Sequence, residues 1–204
     1  MTKPVARTRI QRKNIALISE AALSVFSTYG FRGSTVDQIA KEANLSKPNL
    51  LYYFPSKEAI HRHLLSTLMD TWLDPLREID HQGEPLEEIL TYMRRKLQMS
   101  RDHPRESRLF ANEIVQGAPR IVELLETQLK ELVDEKAAVL QGWMDEGRLA
   151  PADPYHLIFS IWSLTQHYAD FEVQVKAVLG PEKPDPFPGA ETYLTLLFTR
   201  MLEV

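Results

Sequence analysis

The 204-residue chain contains no cysteine, which excludes a disulfide framework and any thiolate-held metal. Glycine is scarce, at eight residues, and GxGxxG, GxSxG, HExxH and Walker A patterns are all missing. The sequence therefore offers no loop to cradle phosphates, no serine on a nucleophile elbow and no zinc-protease helix. No run of about 18 apolar residues is present to span a bilayer. The basic, polar residues 1–13 have no apolar stretch behind them to act as a signal peptide. These absences predict a cytoplasmic protein that is not an enzyme, uses no cofactor or metal and meets no membrane.

What is there is ordinary globular composition, 44% apolar and 25% charged, enough to core one large or two small domains. The net charge of −4 hides an asymmetry. Residues 1–60 hold nine Lys/Arg (Lys3, Arg7, Arg9, Arg12, Lys13, Arg32, Lys41, Lys47, Lys57) against four acids (Glu20, Asp37, Glu42, Glu58), so the rest is acidic. A basic head on an acidic body suggests that only the head meets a polyanion. Chance variation in surface charge gives the same pattern about as often.

Apolar spacing is helical throughout, and no alternating stretch reads as a strand. A first helix is predicted over residues 11–29, burying Ile15, Ile18, Ala22, Val25 and Phe26. Gly30 suits a left-handed position past its end, with Phe31 folding back on Phe26. Thr35 and Gln38 form a capping box for a second, short helix. Residues 43–45 make a turn, Ser46 caps a third short helix, and Pro48 is tolerated in its first turn. Pro55 and Ser56 end that helix and start a long fourth one reaching Ile79. Further helices are expected over residues 84–102, 104–115, 119–146, 153–179 and 190–202. Pro181, Pro184, Pro186 and Pro188 stiffen the last connection. The predicted architecture is all-α with two domains, a head over residues 1–55 and a larger body over 56–204.

The second and third helices have the pattern of a helix-turn-helix. Ile39 and Ala40 end the first of the pair, Leu45 follows the turn, and Leu50 and Phe54 line the inner face of the second. Asn44 takes the turn position that often needs a positive φ. The outward face of the third helix carries Lys47, Asn49, Tyr52 and Tyr53. Tyrosines offer hydroxyls to phosphate and rings to a thymine methyl. Lys57 opens the next helix, where free amides already favour an anion. Packing of Tyr52 and Tyr53 against neighbouring helices is the competing reading. Arg7 and Arg9, ahead of the first helix, are candidates for a minor-groove arm.

Residues 15–60, IALISEAALSVFSTYGFRGSTVDQIAKEANLSKPNLLYYFPSKEAI, resemble the DNA-binding domain of the TetR family over their whole length. The resemblance implies a three-helix head that binds double-stranded operator DNA as a homodimer. It places Lys47, Asn49, Tyr52, Tyr53 and Lys57 at DNA-contacting positions, Thr35 at one that often touches phosphate, and Ser46 beside them. The strings MDTWLDPL, SRDHPRESRLF, EKAAVLQGWMDEGRLAPADPYHLIF and TQHYADFEVQV are similar to the C-terminal domain of RutR-type, pyrimidine-utilisation regulators. That likeness covers most of residues 60–180 and fades after Gly180. It implies a repressor of pyrimidine catabolism answering to uracil, thymine or a related metabolite.

The candidate effector residues are Trp72, Lys96, Ser100, Trp162 and Gln166. Trp72 follows Leu65, Leu68 and Met69 on one stripe, Lys96 lies on the Ile89–Met93–Ser100 track, and Trp162 and Gln166 stand four apart beside Ile158 and Thr165. The two tryptophans alone are more often core. A Lys and a Gln on apolar faces favour a ligand, because buried polar groups need partners. A planar ureide offers two carbonyls and two N–H groups, and one amide can answer one of each. His61 and His63, two apart on a helix, do not share a face and are expected to be solvated or partly packed rather than metal-bound. His167 and Asp170 are the best pair an enzyme reading can offer, and are expected instead to bond within the bundle or near a ligand.

Three other readings stay open. A TetR-type repressor with an unrelated effector fails to respond to pyrimidines. An enzyme with a DNA-binding head turns over a substrate. An architectural DNA protein shows weak sequence preference and no response to any metabolite. Dimerisation is expected through residues 153–179 and 190–202, where Tyr193, Leu194, Leu197, Phe198 and Met201 otherwise leave an exposed patch.

Overall fold

A computed structural model describes residues 9–183 and 185–204, and every described element is helical. Arg7 and Pro184 lie outside the described residues. Arg9 is the first residue of helix α1, Arg9–Gly33, and so is not part of an arm. Within α1, Gly30 adopts φ 66°, ψ 173°. This is a positive-φ region essentially reserved for glycine, but extended rather than left-handed helical as expected. The kink turns Phe31 back onto Phe26 with ring centroids 5.9 Å apart.

The next two helices start where the sequence marks them. Thr35 accepts from the Gln38 amide and Gln38 Oε1 accepts from the Thr35 amide, a complete capping box at the start of α2, Val36–Glu42. Such a cap stabilises a helix by about 1 kcal/mol. Asn44 (φ 53°) closes a Schellman turn: the Leu45 amide donates to the Ala40 carbonyl and the Asn44 amide to Lys41. Ser46 then caps α3, Lys47–Tyr53, and Ser56 caps α4, Lys57–Arg77.

The body follows with α5, Pro85–Asp102, and α6, Pro104–Val115. The helix expected over 119–146 is instead α7, Val122–Leu124, a π-helical turn, Leu125–Leu129, and α8, Lys130–Asp145. Its start is delayed because Ala118, at φ 52°, folds the chain so that its carbonyl accepts from both Ile121 and Val122. The helix expected over 153–179 breaks at Phe171 into α9, Pro154–Asp170, and α10, Glu172–Leu179. At the break an outside donor, Arg108 Nη1, takes the Ala169 carbonyl at 3.1 Å. Helix α11, Phe187–Leu202, ends the fold.

Two apolar cores result. One joins the end of α4 to α5, α8, α9 and α11 around Met93, Leu140, Ile161 and Phe198. The other holds the head together around Phe26, Ile39 and Leu50, and also includes Ile60, Leu64 and Leu65 of α4 with Leu109, Ala118 and Ile121 of the body. Head and body are thus welded along α4 and α6. Of the five residues expected at a dimer face, Leu194 and Phe198 are fully buried in their own domain and Leu197 packs beside them. Tyr193 and Met201 remain exposed, together with Leu196 on α11 and Tyr155 and Phe159 on α9.

Candidate functional site

Helix α3 is short enough that its exposed residues form one patch. Leu50 anchors it, fully buried, and Ser46 accepts from the Asn49 amide at 3.3 Å to fix its start. Lys47, Asn49 and Tyr52 then face solvent, Tyr52 at 72% exposure. Lys47 pairs with Asp37 across the α2–α3 turn at 2.9 Å, an exposed contact of little worth that a phosphate can displace. Thr35 is also exposed, its hydroxyl already engaged in the capping box.

The other two residues turn inward. Asn14 Nδ2 donates to the Tyr53 hydroxyl at 2.7 Å, tying α3 to α1, and the Tyr52 and Tyr53 rings meet edge to face at 5.1 Å. The packing alternative thus describes Tyr53, while Tyr52 stays free on the surface. The Lys57 ammonium donates to the Phe31 and Ser34 carbonyls, both at 2.8 Å. Two of its three protons serve the fold, leaving one for an anion.

In the body, α5 packs between α4 and α9 and brings Lys96 to Trp72, and Tyr92 to Trp162. Lys96 is only 3% exposed, its ammonium 4.3 Å from the centroid of the Trp72 ring. Burial pushes Lys96 down to about 7, with the Asp170 carboxylate pulling the other way. That ammonium thus lies between an indole face and the field of the Asp170 carboxylate. Ser100, fully buried one turn on, donates to the Lys96 carbonyl at 3.2 Å. Trp162 Nε1 donates to the Tyr92 hydroxyl at 2.5 Å. Gln166 is half-buried between Trp162 and Asp170, four residues from each on one stripe of α9.

Sequence reasoning passed over Tyr92, although it lies four residues before Lys96 on the same α5 stripe. It also passed over the Ser107 hydroxyl, which donates to Asp170 Oδ1 at 2.5 Å. Burial raises the Asp170 carboxyl, against the opposing pull of Ser107 and Arg108. Of the pair an enzyme reading could offer, Asp170 bonds within the bundle, to Ser107, while His167 is exposed and stacked on Phe171. His61, expected to be solvated or partly packed, is 3% exposed, wedged against the Phe26 and Phe31 rings. His63 packs near Phe54. Among the described residues no group of three His, Cys, Asp or Glu side chains is placed to hold a metal, and no helix is long and apolar enough to cross a membrane.

A capped helix-turn-helix with an exposed polar face, joined to a larger helical body, has the architecture of a helix-turn-helix transcriptional regulator. Residues 18–64 match the bacterial regulatory proteins of the tetR family, and residues 65–203 match the C-terminal region of YcdC-like proteins. The chain belongs to the TetR family of transcriptional regulators, whose members bind operator DNA and small-molecule effectors, typically as dimers. It is 51% identical over 171 residues to the HTH-type transcriptional regulator RutR of Escherichia coli strain K12, covering 84% of this chain and 80% of that one. An HTH-type regulator of Bacillus subtilis strain 168, YhgD, is 23% identical over 146 residues, 71% of this chain and 75% of the other. Among solved structures, a tetR-family regulatory protein from Rhodococcus RHA1 superposes with a TM-score of 0.75 at 18% identity, covering 93% and 96% of the two chains. Salmonella enterica GusR gives 0.65 at 18% identity, covering 94% and 96%. Such distant structures speak for the fold alone.

Proposed function

We propose that this regulator is a repressor of pyrimidine catabolism that binds a pseudo-palindromic operator as a homodimer and is released by uracil, thymine or a close relative. The observation carrying the effector assignment is Lys96: a buried ammonium against the Trp72 indole face, in the field of the Asp170 carboxylate. A buried charged donor is costly unless it is well paired, so this one suits a ligand carbonyl. Gln166, one turn from both Trp162 and Asp170, can answer a neighbouring carbonyl and N–H of the same planar ring. The indoles of Trp72 and Trp162 supply flat walls. The likeness to RutR-type regulators supports the same reading. At the head, Lys47, Asn49 and Tyr52 face the operator, with Thr35, Ser46, Tyr53 and Lys57 supporting or touching its backbone.

Operator binding followed by fluorescence anisotropy, with and without uracil and thymine, tests the assignment. Both ligands should weaken binding of the wild type, with a coupling of about 1–3 kcal/mol. Gln166→Ala should lose most of that response and keep its ligand-free affinity. If neither ligand moves the wild-type curve, the pyrimidine reading fails. A second reading then takes over, favoured by a groove of about 760 Å³ between the end of α9, α10 and the start of α11. Tyr168, Val175, Val178 and Leu179 line it, and it includes none of the five effector candidates. It suits a larger and more apolar effector.

A further inference from the structure

We infer that the Glu113–Arg120 pair is a latch that fixes the angle of the DNA-binding head on the body by gripping the Phe31 ring, which makes Glu113 and Arg120 positioning residues for operator binding. The latch rests on the head being a DNA-binding domain and is independent of which effector binds.

Phe31 stands at the hub of the head. It follows the Gly30 kink, and its carbonyl and that of Ser34 are held by Lys57 at the start of α4. The Ser34 hydroxyl in turn donates to the Gly30 carbonyl at 2.6 Å. Helices α1, α2 and α4 thus meet at residues 31–34, and whatever holds Phe31 holds all three.

The body reaches this hub through the loop between α6 and α7. Arg120 lays its guanidinium over the Phe31 ring, with Cζ 3.6 Å from the centroid. The Lys57 ammonium lies 4.4 Å from the same centroid. Arg120 is held at both ends by one buried carboxylate: its backbone amide donates to Glu113 Oε1 at 2.9 Å and its Nη1 to Oε2 at 2.7 Å. The Glu113 carbonyl accepts from the Ala118 amide at 2.8 Å, which curls the loop back on α6. Gly117 and Ala118 both take positive φ there, at 87° and 52°. A left-handed alanine persists only where its surroundings impose it. Both hydrogen bonds that the Glu113 carboxylate accepts from Arg120 therefore serve to place one guanidinium on one ring.

Such a buried pair is a poor source of net stability, because desolvation of the charges offsets their attraction. Its strength is geometric. A planar fork stacked on an aromatic face and bound to a fixed carboxylate has little freedom to swing. A head that must present α3 at a set spacing to two successive major grooves needs that rigidity.

The absence of cysteine allows a direct test. Spin labels are attached at Lys41→Cys on α2 and Gln141→Cys on α8, both exposed. Labelled chains are diluted into unlabelled ones so that only the distance within one chain is read. The latch is removed in two ways: Glu113→Gln with Arg120→Met, which leaves no unpaired buried charge, and Phe31→Leu, which leaves the ion pair intact. In both, the narrow wild-type distance distribution should broaden. Affinity for an operator selected by the wild type from random DNA should fall about tenfold, mid-range for couplings between sites. Far-UV circular dichroism confirms that each variant is folded. A folded variant of both kinds that keeps either the narrow distribution or the wild-type affinity overturns the latch, and leaves the pair as ordinary packing.

Discussion

Nδ1 of His61 lies 3.9 Å from Oε2 of Glu113 across the seam between α4 and α6, and no hydrogen bond from the described residues reaches that nitrogen. At this distance the two rank as an ion pair only if the imidazole is charged, and it is not. Burial among Phe26 and Phe31 pushes His61 down to about 4, and the pull of Glu113 is countered by Arg120 and Lys57. A neutral histidine in the folded state that charges in the unfolded one makes the fold acid-sensitive. Its contribution is fully present above pH 6.5 and is lost as the pH falls from there through about 4, amounting to about 3 kcal/mol. Denaturant unfolding at stepped pH should show that acid limb. His61→Phe should flatten it; parallel limbs for wild type and variant would show that other groups cause it.

Lys96 titrates in the opposite sense. Because burial lowers it to about 7, the unfolded chain keeps a proton that the folded one has released between about pH 7 and 10.5. Its cost to stability is therefore full below pH 7 and shrinks as the pH rises through that window. Lys96→Met should raise the melting temperature near pH 7, since removing a buried charge for an apolar side chain of similar length gains about 1–3 kcal/mol. The same variant should stop responding to uracil and thymine. A ligand carbonyl that pairs with the ammonium must also draw in a proton, so wild-type ligand affinity should fall above pH 7. Calorimetry in buffers of different ionisation enthalpy reads that uptake, and none at pH 7.5 would falsify the Lys96–carbonyl contact.

How much of this was legible depended on the range of the signals. Thr35–Gln38, Asn44, Ser46 and Ser56 act through near neighbours in sequence, so the helices of the head could be placed from spacing, while its DNA-binding role rested on the resemblance of residues 15–60. The break at Phe171 could not, because its partner is Arg108, sixty-one residues away from Ala169. Nothing local marks the π-helical turn at Leu125–Leu129 either, a stretch with neither Gly nor Pro. At the site, Lys96 and Gln166 stood out as polar residues on apolar stripes. Tyr92 did not, because an aromatic on such a stripe is usually plain core, and only the partnership with Trp162 reveals its polar end. Lys57 shows the same limit: its charge and position suggested an anion, and its carbonyl partners lie twenty-three and twenty-six residues back.

The exposed apolar side chains on α9 and α11 predict the dimer surface more sharply than periodicity could. Leu194 and Phe198 are spent on the internal core, leaving Tyr155, Phe159, Tyr193, Leu196 and Met201. Replacing Phe159 and Leu196 by Glu should convert a dimer to a monomer in sedimentation velocity at micromolar concentration, with the helical content kept. Neither residue belongs to the internal core, so the fold should tolerate both. Wild-type protein that sediments as a monomer, or a double variant that stays dimeric, places the interface elsewhere.

Lys47 and Lys57 carry the same charge near the same groove, yet they should fail differently. Lys47 is exposed and pairs with exposed Asp37, so Lys47→Ala should leave stability within about 0.5 kcal/mol of wild type. Its loss should weaken binding to all DNA sequences and reduce the salt slope by about one counterion. Lys57 donates to two carbonyls at the end of α1, and a charged hydrogen bond of that kind contributes about 1.5–3 kcal/mol. Lys57→Ala should therefore lower stability in the absence of any DNA, by loosening residues 31–34 from α4. Its salt slope should also fall by up to one counterion, through the single proton left over. Lys57→Arg separates the two effects, because a guanidinium restores the charge while its planar fork cannot reproduce the two carbonyl contacts of a compact ammonium. Denaturation midpoints and salt titrations of operator binding, run on all three variants, read both quantities. A Lys57→Ala protein as stable as wild type with a salt slope reduced by a full counterion would make Lys57 a phosphate clamp alone, and its carbonyl contacts incidental.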